Sequence, residues 1–151
     1  MIKTLNPDFK TSIQEKLKQQ EFMRYLGFEV TTIEEGRLEG ELVLGQEHRQ
    51  HMGFAHGGVI ATLADIVAGL SAVTLVPKNH HVVTVELKVS YLNPGVGEKL
   101  LAKGWVLKQG SRLNFCEAEV YVTKGTNEPL LIAKASATMA TIAPEAIRRE
   151  D

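Results

Sequence analysis

Alternation of apolar and polar positions dominates the second half of the chain. Val83, Val85, Leu87, Val89 and Tyr91 alternate with Thr84, Glu86, Lys88 and Ser90, the period of a half-buried strand. Asn93-Pro94-Gly95 supplies a turn. Leu100 to Lys108 and Asn114 to Thr123 predict a further pair of strands joined by Gln109-Gly110-Ser111-Arg112, and Leu130 to Thr141 a last one, so this half reads as a strand meander. Two shorter strands stand earlier, Phe28 to Ile33 and Arg37 to Leu44, with Glu35-Gly36 as their turn. In the second, Leu38, Leu42 and Leu44 alternate with Arg37, Glu39 and Glu41.

Two segments follow a helical period instead. Residues 6–26 carry Phe9, Ile13 and Leu17 and then Phe22, Met23 and Leu26, with Asn6 placed to cap, Pro7 in the first turn and Gly27 as the stop. Val59 to Val76 is apolar or small almost throughout, which predicts a buried helix ending near Pro77. Its length approaches that of a membrane span. Asp65 near its middle and its many small residues favour a protein core instead, because a lone intramembrane carboxylate is costly. Gln46 to Ala55 reads as an irregular polar loop. The order is therefore helix, two strands, a long buried helix and four strands. Short links favour an antiparallel sheet with one face covered by the helix, an α+β fold.

Length and composition narrow the class. The 151 residues suit one domain, 1–151, with 1–26 as an N-terminal helical segment and 144–151 as a loose charged tail. At 44% hydrophobic and 23% charged the chain has the balance of a globular protein. A net charge of -1 and the absence of a basic block give no footprint for nucleic acid or an anionic membrane. The single cysteine, Cys116, allows no internal disulfide and reads as a small buried apolar residue. With no apolar core of a signal peptide at the N-terminus, a cytoplasmic location is expected.

Candidate chemistry gathers at the start of the buried helix. His56-Gly57-Gly58 opens it, and bare glycine backbone admits a ligand closely. The first N–H groups of a helix lack partners and lie at its positive end, which equips them to stabilise an oxyanion. The glycines serve either that role or only a tight turn into the helix. Asp65 is a carboxylate in apolar surroundings, hence either a general base or nucleophile or a structural hydrogen-bonded group. Gly57 and Asp65 stand eight residues apart, about 12 Å along a helix. Both groups must lie about 3 Å from the reacting atoms, so one helix cannot easily serve one carbonyl with both. If both act, two chains contribute to each site, and two-fold symmetry makes two equal sites.

Residues 50–65, Gln-His-Met-Gly-Phe-Ala-His-Gly-Gly-Val-Ile-Ala-Thr-Leu-Ala-Asp, resemble the signature of the PaaI-like thioesterases of the hotdog superfamily. Residues 83–94, Val-Thr-Val-Glu-Leu-Lys-Val-Ser-Tyr-Leu-Asn-Pro, and 106–112, Val-Leu-Lys-Gln-Gly-Ser-Arg, extend the likeness, which covers roughly residues 20–140. The resemblance implies a sheet wrapped round a central helix, hydrolysis of acyl-coenzyme A thioesters without a separate cofactor, and sites at a homodimer interface. Pairing of dimers into a homotetramer is left open. By matching positions, Asp65 is the catalytic carboxylate, Gly57 gives the oxyanion N–H, His56 shapes that site and Thr84 assists the carboxylate or water. Gln50 falls where many relatives carry Asn; its longer amide still donates and accepts hydrogen bonds. The resemblance places coenzyme A against Tyr91, Pro94, the turn Lys108, Gly110, Ser111 and Arg112, and Met139. Lys108 and Arg112 suit phosphates physically, and equally an ordinary solvated hairpin.

Two other activities stay in view, a hotdog enoyl-CoA hydratase or dehydratase with His56 as base, and a non-catalytic acyl-CoA-binding protein. No metal site is expected, because His48, His51, His56, His80 and His81 match no strong zinc spacing. Ser71, Ser90 and Ser111 sit in no nucleophile elbow. The acyl group is not legible.

Overall fold

The computed structural model describes residues 1–147. Helices α1 (Phe9–Leu17) and α2 (Glu21–Leu26) precede strands β1 (Phe28–Glu34) and β2 (Arg37–Val43). Helix α3 (Gly57–Val73) follows, then β3 (His81–Tyr91), β4 (Lys99–Gln109), β5 (Leu113–Thr123) and β6 (Leu130–Ile142). All neighbouring strands pair antiparallel, in the order β1-β2-β4-β5-β6-β3. Helix α3 lies against this one six-stranded sheet, and its buried face (Ile60, Leu63, Ala64, Val67, Ala68, Ser71 and Ala72) forms the core with Leu38, Leu42, Leu100, Val120 and Ile132. The approach is close enough to require glycine at position 104. A Cβ there would stand 2.4 Å from the backbone carbonyl carbon and oxygen of Val67.

Three departures from the sequence reading matter for the site. The helix expected over residues 6–26 breaks between Leu17 and Glu21. Ile13 of the first helix and Met23 of the second are both buried. Asn6 does not occupy the cap position. Its Oδ1 accepts the Asp8 N–H at 3.1 Å, in a turn ahead of a helix that starts at Phe9, so Pro7 lies outside the first turn. Gly27 does stop the second helix, with φ of 81°.

The expected four-strand meander holds for β4 to β6 only. Strand β3 pairs with β6 at the far edge, because the segment after Tyr91 runs along the end of the sheet instead of turning back. Leu92 N–H donates to Ile132 C=O at 2.8 Å, and Glu98 N–H to Thr123 C=O at 2.8 Å, carrying the chain past β6 and β5 towards β2.

The alternation within β3 also changes phase. Pairing with β6 slips between Thr84 and Glu86 at a β-bulge. Before the bulge Val82 and Thr84 face α3, while Val83 and Val85 are 49% and 62% exposed. After it Leu87 and Val89 face the core, as the alternation predicts. Of the tail expected from Pro144, Pro144–Ala146 forms one 3-10 turn, and residues 148–151 lie outside the described residues.

Candidate active site

The bulge in β3 aims Thr84 across to α3. Its Oγ1 donates to Asp65 Oδ1 at 2.7 Å. Met139 stands opposite Thr84 in the β3–β6 register, fully buried, with its sulfur 3.5 Å from the same hydroxyl. Met139, which the resemblance places against coenzyme A, lines the groove beside Asp65. That groove, of about 310 Å³, runs between α3 and β3. Its α3 wall is Thr62, Asp65, Ile66, Gly69, Leu70 and Val73, the half-buried side of a helix expected to be buried.

The oxyanion candidate sits at the other end of the helix face. His56 is the N-cap, with Nδ1 accepting the Gly58 N–H at 2.9 Å and its carbonyl accepting the Val59 N–H at 3.0 Å. The Gly57 N–H donates to no protein group among the described residues. Tyr91 Oη donates to the Gly57 carbonyl at 2.9 Å and so braces this first turn against β3. Gln50, Gly57, Tyr91 and Pro94 line one shallow groove of about 350 Å³. Within that loop Gln50 Oε1 accepts the Met52 N–H, which leaves its amide NH2 free to donate.

Asp65 and Gly57 therefore open on two different grooves of one protomer, in keeping with the helix-rise argument. A third group stands apart from both. Lys108, Gly110, Ser111 and Arg112 are exposed at the β4–β5 hairpin, and neither cation forms an ion pair among the described residues. Gly110 is tightly placed, since a Cβ there would meet the Leu113 carbonyl at 2.4 Å.

Several side chains near these grooves have no role in the site that the sequence reading assigned. Lys16, Gln20 and Met23 wall the Asp65 groove from the N-terminal segment, and His81 from β3. Burial pulls the Lys16 ammonium below its usual value, and burial, with Lys16 and His80 nearby, does the same for His81. Arg49 donates to the carbonyls of Gly53 and Gly97, both at 3.0 Å, and so holds the Gln50 loop. No periodicity announces such roles. The buried His48 is structural: Nδ1 accepts the Gly45 N–H at 2.9 Å and Nε2 lies 2.7 Å from the Leu26 carbonyl. Cys116 is buried, and burial pushes its thiol up to about 12, which suits a core residue and not a nucleophile. Among the described residues no group of three or more His, Cys, Asp or Glu side chains could hold a metal ion, and no helix is long and apolar enough to cross a membrane.

An antiparallel sheet packed on one long helix, with a carboxylate and a bare helix N-terminus on that helix, defines a hotdog thioesterase fold. The chain belongs to the thioesterase superfamily, whose sequence model matches residues 52–128. It is similar to human acyl-coenzyme A thioesterase 13, 28% identical over 119 residues that span 78% of this chain and 84% of the human one. A thioesterase family protein from Silicibacter pomeroyi superposes with a TM-score of 0.87 at 30% identity, covering 89% of this chain and 98% of that one. The Escherichia coli PaaI protein of the phenylacetic acid degradation operon superposes with a TM-score of 0.79 over 93% of this chain and 97% of its own. At 16% identity that match shows the shared fold, in line with the expected PaaI likeness.

Proposed function

We propose that the protein hydrolyses acyl-CoA thioesters to free acid and coenzyme A, at sites shared between two copies of the chain. The observation that carries this reading is the division of labour along α3. Asp65 holds a hydroxyl donor on one groove, and Gly57 keeps an uncommitted N–H on another. The thioester carbonyl oxygen accepts from Gly57 N–H of one protomer. Asp65 of the other either activates water or attacks the carbonyl carbon itself, with the charge building on oxygen stabilised by the helix start. Gln50 and His56 shape the oxyanion side, and Thr84 orients the carboxylate. Coenzyme A lies towards Tyr91, Pro94 and the Lys108–Arg112 turn, where two uncommitted cations suit phosphates.

A homodimer has a ready edge. Strand β3 ends the sheet, runs eleven residues and exposes Val83 and Val85. Pairing two such edges would satisfy the unpaired backbone groups of β3 and set the two α3 helices in one assembly.

The hydratase alternative loses support from the cap. His56 spends Nδ1, the basic nitrogen of its neutral ring, on the Gly58 N–H. Acyl-CoA binding without turnover is separated from hydrolysis by assay. Wild type should release thiol from acyl-CoA, and Asp65→Asn should lose nearly all of that release while keeping its oligomeric state. Turnover unchanged in Asp65→Asn would overturn the assignment.

A further inference from the structure

The Asp65 groove has a cation at its far end, which bears on what acyl group it takes. Lys16 projects from α1 into the groove wall, half-buried, and its ammonium donates to the His80 carbonyl at 2.8 Å. An ammonium carries three donors, so two stay uncommitted. Among the described residues Lys16 pairs with no carboxylate. The one acidic residue lining the groove is Asp65. Gln20 and His81 flank Lys16, adding an amide and an imidazole, while Ile66, Leu70 and Val73 make the stretch between apolar.

Strand β3 gives the separation. From Thr84, bonded to Asp65, back to His80 and His81 beside Lys16 is three to four residues of extended chain, roughly 10–13 Å. With carbon–carbon bonds of about 1.5 Å in staggered form, a chain of about eight carbons spans that distance with its last atoms in hydrogen-bond reach of the ammonium.

We propose that the groove selects acyl thioesters whose far end carries a carboxylate, with Lys16 as the residue that recognises it. This rests on Asp65 being the hydrolytic centre. The apolar wall between accounts for a methylene chain, and the unpaired ammonium for an anionic end. A plain alkyl chain of the same length would instead press its methyl end against a charged group.

The test compares suberyl-CoA, with a terminal carboxylate, against octanoyl-CoA, its apolar counterpart, by thiol release. Wild type is expected to favour suberyl-CoA in kcat/KM. Lys16→Met keeps the apolar stem and removes the charge; the suberyl to octanoyl ratio should fall about tenfold, the worth of a charge-assisted hydrogen bond. Lys16→Arg keeps a cation and should retain most of the preference. A wild type that prefers octanoyl-CoA, or a Lys16→Met variant with an unaltered ratio, overturns the inference while leaving hydrolysis intact. Failure of wild type to cleave either ester would instead strike at the hydrolytic reading itself. Circular dichroism of both variants separates a changed ratio from misfolding.

Discussion

Replacing Thr84 by Val tests the most specific contact in the site. The change is nearly isosteric and keeps β-branching, so β3 should persist, while the weak hydroxyl contact to the Met139 sulfur is lost with the hydroxyl. What disappears is the 2.7 Å donation to Asp65 Oδ1. A hydrogen bond to an ionised group contributes about 1.5–3 kcal/mol. If its whole effect falls on the positioned, reacting form of Asp65, kcat should drop roughly ten- to a hundredfold, at about 1.4 kcal/mol per factor of ten. Thr84 is exposed in the protomer, so stability should move by no more than about 0.5 kcal/mol. The assay is steady-state thiol release from acyl-CoA, with KM separated from kcat. Thr84→Ser restores a hydroxyl and should stay within a few-fold of wild type. A Thr84→Val enzyme within twofold of wild type in kcat would refute the claim that this hydroxyl orients the carboxylate.

Other consequences concern the scaffold. Gly104→Ala puts a Cβ against the Val67 backbone, which cannot swing aside. Overpacking should cost about 1–3 kcal/mol and lower the thermal midpoint by roughly 3–10 °C, read by circular dichroism. An unchanged midpoint would mean that α3 moves freely on the sheet. Cys116 holds its proton up to about 12 when folded, against an ordinary value of 9.0. Between those values the unfolded chain binds fewer protons, so stability falls as pH rises, by at most about 1.4 kcal/mol per unit. Cys116→Ala should flatten urea-midpoint curves between pH 9 and about 11 relative to wild type; identical slopes would contradict this.

The elements that depend on local period were readable. Strand β2 and strands β4 to β6 bury one side and expose or half-expose the other, as their alternation predicts, and Gly27 stops its helix where a left-handed residue is needed. Elements that depend on distant partners were not. Nothing near Asn93 says that β3 should pair with β6, because that choice is made by backbone hydrogen bonds to Ile132 and Thr123. The bulge at Val85 is equally silent, since Val85 continues an unbroken alternation. Yet that bulge keeps Thr84 facing Asp65 while Leu87 and Val89 still reach the core. Asp65 itself stood out as a charge in an apolar helix. Lys16 and Gln20 look like ordinary surface residues of α1 and its following turn until the break at residues 18–20 folds them over the groove.

The central claim is that Gly57 of one chain and Asp65 of another serve one carbonyl. Gly57→Pro removes the donor at a helix position where proline is favoured, after a His56 whose ψ of 135° already suits a following proline. Gly57→Pro and Asp65→Asn homodimers should both be nearly inactive. A heterodimer of the two, co-expressed with different tags and purified, unites an intact Gly57 and an intact Asp65 in one of its two sites. Thiol release at about half the wild-type rate per dimer is the result predicted for shared sites. A heterodimer as inactive as its parents would contradict the account.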